Sequence, residues 1–327
     1  MTRAPAFTAR APSKLILLGE HAVVYGHPAV AVPLGEPFAQ ATARLVGPGG
    51  PVGVELQDFG LAWLRGSEPS AEEARPFSRI VEICVASGMA PDNGWTLTVR
   101  SAVPIGCGLG SGAAVAAASF KAVYGLFGAR RCDRELCSSV YEVEKLLHGT
   151  PSGVDNTVIA YGRPVLFRKG EAPTFLSGPG APLFLAVADT GLRHKTAEVV
   201  AEVARLRSQA AALLDEAFRG IGALAREGAA AFEKGDLSAL GRLMNEDHRL
   251  LRGIGVSAPD LERLVAAARK AGALGAKLCG AGRGGCMAAL ADSPEASLRL
   301  AEALLAAGAK HAFASQVSSP AFQKVRP

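Results

Sequence analysis

Apolar and polar positions along the chain separate into short runs of two different periods. KLILL, Lys14–Leu18, is a compact apolar run behind a charged residue and predicts a buried strand, while residues 1–12 carry no comparable pattern and read as a frayed lead-in. Gly19, Gly26 and Pro28 punctuate a turn, after which strands are expected at about Ala29–Leu34, Thr42–Val46 and Val52–Leu56, with GPGGP as the turn before the last of these. Residues 72–88 place apolar side chains at helical spacing, and Trp95–Val103 alternates as a strand does. A glycine-rich loop then opens an alanine-rich helix that runs to about Gly125. A second helix is expected over Asp133–His148 with Asp133 as its cap, then a short third helix opened by Pro151 and Ser152, then a strand at Pro164–Arg168.

Residues 169–182 are rich in proline and glycine among small polar residues, and a domain boundary is expected there, dividing the chain into 1–176 and 177–327. The second part opens with a strand, Leu183–Asp189. A long Ala/Leu/Glu/Arg-rich region over 196–272 follows, read as three or four helices broken at Gly220, Gly235 and Gly253–Gly255. Ala276–Cys279 and Met287–Leu290 read as strands joined by a glycine turn, followed by a helix at about 294–308 and a strand at His311–Val317. The order β, helices, β, β, α, β resembles a split βαβ sandwich with an enlarged helical insert, so the expected class is α+β in two domains.

Composition narrows the function more than the fold. With 327 residues, 49% of them hydrophobic and 20% charged, the chain can bury a full core and is not a disordered segment. Net charge is +5 and the basic residues are dispersed, which argues against a nucleic-acid partner. The six cysteines form no C-x-x-C pair and no zinc-finger spacing, so a metal cluster is not expected; reduced thiols fit a chain whose N-terminus shows no secretory h-region. No apolar run approaches the ~20 residues that span a bilayer. The expectation is a soluble, cytoplasmic protein with no membrane partner. A homodimer is compatible with the sequence, which does not set the oligomeric state.

The loop PIGCGLGSGAA carries the clearest chemistry. Gly106, Gly108, Gly110 and Gly112 precede a helix start, where unpartnered backbone N–H groups and the helix dipole favour an anion, and glycines let the backbone close around it. The segment lacks the Gly-Lys-Ser/Thr of a P-loop and the last glycine of a dinucleotide fingerprint. On its own it is either a phosphate cradle or a packing turn between strand and helix.

Three segments in this order resemble the GHMP kinase superfamily: APSKLILLGEHAVVYGHPAVAVPL, PIGCGLGSGAAVAAA, and KLCGAGRGGCMAAL at 277–290. A fourth, EKLLHGTPSGVDNTVIAYG at 144–162, is similar to the catalytic region of the mevalonate kinase branch, as are GEHAVVYG and DTGLRHKTAEVV. The resemblance covers essentially the whole chain. It implies a two-domain fold: an N-terminal mixed β/α domain with a left-handed-crossover-type ATP loop, and a C-terminal ferredoxin-like domain with extra helices. It also implies ATP-dependent phosphorylation of the primary hydroxyl of mevalonate with Mg²⁺, ATP and mevalonate being the small-molecule partners.

Residue by residue, the resemblance makes Pro104, Ile105, Gly106, Cys107, Gly108, Leu109, Gly110, Ser111, Gly112, Ala113 and Ala114 the ATP loop. It makes Asp155 the base that accepts the acceptor's proton, where a loop-turning aspartate is the plainer reading. Lys14 becomes the cation beside that base, holding it ionised and stabilising charge on the transferring phosphoryl, where a strand-flanking lysine is plainer. Glu144 becomes the Mg²⁺ carboxylate, helped by Ser111, although Glu144 and His148 also read as an ordinary i,i+4 pair and Glu142 is a neighbouring decoy. Glu20, His21, Ser152 and Thr196 join Lys14 and Asp155 around the acceptor, and Gly280, Ala281 and Gly282 supply a second backbone approach or merely a tight hairpin. Arg193 and Lys195 are candidates for drawing in a carboxylate, or surface groups.

Two positions depart from the family pattern. Gly112 stands where a second serine is usual, which puts that hydroxyl ligand in doubt. Arg283 stands where glycine is usual, and would meet an anionic group or face solvent. The competing readings keep the fold and change the acceptor, to phosphomevalonate, a sugar or another hydroxy acid, or make the chain a nucleotide binder without turnover.

Overall fold

The computed structural model describes residues 4–89, 93–149, 151–177, 182–194 and 196–317. The chain divides into two compact units. The first comprises Met1–Ser13, Pro37–Pro104 and Gly110–Gly162, and the second Lys14–Glu36, Ile105–Leu109 and Arg163–Pro327. Neither is a continuous stretch of chain, because two long strands and the glycine loop contribute to both.

Strand β1, Ala6–Leu18, is longer than the apolar run predicted, so most of the expected lead-in is ordered strand. Ala9, Ala11 and Ser13 are buried while Thr8 and Arg10 face outward, an alternation of small residues that an apolar pattern does not register. Strand β2 runs unbroken over Ala29–Pro48, joining the strands expected at Ala29–Leu34 and Thr42–Val46 through Gly35 and Pro37. Proline is tolerated because β2 changes partner there: Ala29–Ala31 pair with β6 and Ala39–Pro48 with β5, leaving Pro37 outside both ladders.

In the first unit the order is β4-β3-β5-β2, with β3 (Val52–Leu56) parallel to β5 (Asn93–Ser101) and antiparallel to β4 (Leu61–Leu64). Helices α1 (Arg75–Ala86), α2 (Ser111–Leu126), α3 (Asp133–His148) and α4 (Val154–Tyr161) complete it. Asp133 is the first residue of α3 and not its cap. Cys132 holds that position, and its backbone N–H donates to the Glu135 carboxylate, 2.9 Å away.

The second unit adds β6 (Val165–Phe167), β7 (Thr174–Phe175), β8 (Leu183–Asp189), α5 (Thr196–Gln209), α6 (Ala211–Lys234), α7 (Leu237–Gly253), α8 (Pro259–Lys270), β9 (Gly275–Leu278), β10 (Cys286–Ala291), α9 (Pro294–Ala306) and β11 (His311–Val317). Its four-stranded sheet has the order β11-β8-β10-β9 with every pairing antiparallel, the topology of a split βαβ sandwich. Gly220 does not break a helix. It lies inside the 24-residue α6, and the break falls at Ala210. The glycines of α6 serve packing: a Cβ on Gly222 would stand 3.0 Å from the His27 side chain, and one on Gly228 would fall on Leu18. Among the described residues no helix is long and apolar enough to cross a membrane.

Candidate active site

In the first unit, three helix ends carry the predicted residues. Gly110 precedes α2 with a left-handed φ of 71°, so Ser111 and Gly112 form the first turn, where backbone N–H groups lack intrahelical partners. Ala113 and Ala114 are fully buried, so their methyls serve the core. Glu144 lies in the last turn of α3 with only 2% of its surface exposed, and its Oε2 lies 3.6 Å from His148 Nε2. A Cβ added to Gly112 would stand 2.9 Å from Glu144 Oε1, so this carboxylate faces the opening turn of α2. The same added Cβ would fall on Leu147 Cδ1, which gives the departure at 112 a steric reason: Leu147 fills the place of a side chain there. Glu142, by contrast, is exposed and paired with Lys145 at 2.6 Å.

Asp155 is half-buried in the first turn of α4, beyond Gly153, whose φ of 95° turns the chain into the helix. Ser152 Oγ accepts from the Val154 N–H at 3.4 Å, and Thr157 Oγ1 donates to Gly153 O at 2.6 Å, which holds the turn. Asn156 anchors α4 to α3 through Cys137 O and Sγ.

In the second unit, Lys14 is 3% exposed and its backbone N–H donates to Leu109 O at 3.0 Å. Along the 105–109 loop, Ile105 and Gly106 are exposed, while Cys107 and Leu109 are buried. Gly106 and Gly108 have φ of 72° and 77°. Gly108 approaches Gly280 so closely that a Cβ on either would lie 3.1 Å from the other's Cα, a contact that demands glycine at both. The 280–285 turn is left-handed at Gly280, Gly282, Arg283 and Gly285, and a Cβ on Gly282 would fall on Val256 O.

Glu20 and His21 are locked against that turn. His21, at a φ of 60° unusual for a non-glycine, places Nε2 2.9 Å from Ala281 O. Burial pushes its pKa down to about 4, so the ring is neutral and Nε2–H donates. Glu20 pairs with the Lys277 ammonium on β9, which also lies 3.2 Å from Asp247 of α7. All three are essentially inaccessible to solvent. Burial would lower the Lys277 pKa, but the two carboxylates outweigh it and raise it. Asp247 is pushed up to about 8 by burial, with Glu20 adding to the rise and Lys277 opposing it. The second oxygen of Glu20 accepts no hydrogen bond among the described residues. The adjacent His248, neutral with a pKa lowered by burial to about 4, accepts the Leu278 N–H on Nδ1. Consecutive residues of α7 thus grip consecutive residues of β9.

Neither Asp247 nor Lys277 was predicted as a site residue. The signal was a lysine between apolar neighbours in a short strand and an Asp-His pair on the apolar face of a helix. Arg193, a candidate for binding a carboxylate of a ligand, is instead committed to Asp189 through two hydrogen bonds of 2.8 and 2.7 Å. Lys195 lies outside the described residues. Thr196 is exposed at the start of α5. Arg283 forms a bidentate pair with Glu202 of α5 at 2.6 and 2.8 Å, and about a third of its side chain stays exposed.

A divalent cation fits the first-unit residues. A buried carboxylate beside a helix start suited to phosphate sets two anions together, and an oxygen-liganded cation between them removes the conflict. Glu144 and Ser111 offer the oxygen donors such an ion prefers.

Family models for the GHMP kinases N terminal domain and the GHMP kinases C terminal match residues 77–163 and 229–310. The mevalonate kinase of Thermococcus sibiricus is 36% identical over 317 residues, covering 92% of this chain and 93% of that protein. The mevalonate kinase of Methanocaldococcus jannaschii is 31% identical over 86% of this chain and 90% of its own length. Among solved structures, L. major mevalonate kinase in complex with R-mevalonate superposes with a TM-score of 0.81 at 29% identity, covering 96% of each chain. Agreement of this extent, over both parts of the chain and with the fold itself, places the protein in the mevalonate kinase family of the GHMP kinases.

Proposed function

We propose that the chain transfers the γ-phosphoryl group of ATP to the primary hydroxyl of mevalonate, giving 5-phosphomevalonate. The observation that carries this reading is the near full-length likeness, in sequence and in fold, to mevalonate kinases, one of them holding R-mevalonate. Within that reading each residue has a physical task. Asp155, in the first turn of α4, accepts the hydroxyl proton. The Lys14 ammonium stabilises negative charge on the transferring group, acting more strongly for being withdrawn from water. The starts of α2 and the 104–110 loop offer N–H groups to phosphate oxygens. Glu144, with Ser111, would hold Mg²⁺, which when bound neutralises charge on the β- and γ-phosphates.

At the acceptor end, Lys277 fixes the rotamer of Glu20, and this buried pair holds the chain behind the acceptor in place. His21 is spent on Ala281 O through Nε2 and orients the 280–282 turn, with Thr196 and Ser152 offering further hydroxyls. ADP release measured with mevalonate, phosphomevalonate, homoserine and galactose tests the proposal. Turnover confined to mevalonate is expected; none with mevalonate, or faster turnover with another acceptor, would overturn it.

A further inference from the structure

Two thiols and a carboxylate converge at the 105–109 loop, through side chains given no catalytic task above. Cys107 Sγ, Cys286 Sγ and a carboxylate oxygen of Asp189 all lie within 4.8 Å of one another, and all three residues are buried. The framework is rigid on two sides. Asp189 and Cys286 are direct cross-strand partners where β8 meets β10, and Thr190 fastens to Gly285 O through both its N–H and its hydroxyl. Asp189 is oriented by the Arg193 fork and by the Gly191 N–H at 2.9 Å.

Two buried thiols can be simple packing, since cysteine behaves as a small apolar residue. Apolar packing alone does not explain why both meet a carboxylate that a guanidinium and a backbone N–H hold in one orientation. That arrangement is the usual surround of a metal ligand, with outer donors fixing the inner one. Two sulfurs and one oxygen select a borderline-soft cation and disfavour Mg²⁺ or Ca²⁺. A tetrahedral zinc site needs donors roughly 3.5–3.8 Å apart, given Zn–S of about 2.3 Å and Zn–O of about 2.0 Å. Two thiolates, a carboxylate, one Arg193 and a divalent ion sum to zero charge, which suits a buried site.

We propose that Cys107, Cys286 and Asp189 form a site for one zinc-type divalent cation, which on binding clamps the 105–109 loop onto β10. As the metal–sulfur bonds form, the two thiol protons leave to solvent and water takes the fourth position. The clamp fixes the loop in one conformation and weakens nucleotide binding; this consequence alone rests on reading 104–114 as the ATP loop.

Co²⁺ titration of the reduced, metal-free, full-length protein tests the site without nucleotide or acceptor. One equivalent is expected to give a thiolate-to-cobalt charge-transfer band in the near ultraviolet, displaced by Zn²⁺. Cys286→Ala and Cys107→Ser should each abolish it, while Cys279→Ser, at a neighbouring buried thiol outside the set, should keep it. Arg193→Gln should keep the band but weaken binding by about tenfold or more. Absence of the band in the unaltered protein, or its survival in the Cys107→Ser/Cys286→Ala pair, overturns the site. Binding of a fluorescent ATP analogue should weaken when the site is filled and not in Cys286→Ala; an unchanged affinity with the metal bound overturns the clamp and leaves the phosphoryl-transfer reading untouched.

Discussion

Replacing Asp247 with asparagine isolates the least ordinary electrostatic feature of the protein, a lysine buried between two carboxylates. Burial, with Glu20 adding and Lys277 opposing, raises the Asp247 pKa in the folded chain from 3.8 to about 8. Between those values the folded state holds a proton that the unfolded state has released. Stability from this group is therefore fully present below pH 3.8 and is lost as pH rises through 8. The slope follows from one proton: about 1.4 kcal/mol per pH unit, so roughly 3 kcal/mol between pH 5 and 7. Asparagine carries no such proton. Whatever fixed offset the amide introduces, the stability of Asp247→Asn relative to the unaltered protein should rise by about 1.4 kcal/mol for each unit of pH over that range. Urea unfolding of both proteins at pH 5, 6 and 7 measures the difference. Parallel stability curves would refute the reasoning, because they would mean that Asp247 is ionised in the fold throughout.

Other consequences can be checked separately. Asp155→Ala should lower turnover by about 10²–10⁴-fold while ATP binding, followed by calorimetry, holds. Glu144→Gln should weaken Mn²⁺ binding to the nucleotide complex in an electron paramagnetic resonance titration, and Glu142→Gln should not, because Glu142 is exposed and engaged with Lys145. His21 is neutral with a pKa near 4, so the unfolded chain binds its proton first as pH falls below 6.5. His21→Gln should flatten the acid limb of stability by about 1.4 kcal/mol per pH unit between 6.5 and 4. Arg283→Gln should lower stability by no more than about 1 kcal/mol, since both partners of the Arg283–Glu202 pair are about a third exposed.

Asp133–His148 is legible in the sequence from its helical period, and Leu183–Asp189 from a short, nearly continuous apolar run that is buried throughout. What escaped was set by contacts distant in sequence. The lead-in joined β1 because alanines and a serine turn inward, and glycine in α6 marks a near neighbour and not a break, a distinction visible only once Leu18 and His27 are in place. The glycine loop, the 144–155 segment and Glu20-His21 could be picked out from motif order. The Lys277–Asp247 partnership could not, since 30 residues separate its members and each is individually an ordinary charge in an apolar element. The reason Gly112 lacks a side chain likewise lies in Leu147, more than thirty positions away.

The chain order of the two units has a consequence for dissecting the protein. A fragment spanning 163–317 would retain the four-stranded sheet yet lose Glu20, the carboxylate on Lys277, and the 105–109 segment that lies against Gly280. Its buried ammonium would keep only Asp247. Such a piece should fail to fold autonomously and should recover structure when a second polypeptide bearing 1–162 is supplied in trans, so the separable parts of this enzyme are complementing halves and not independent modules.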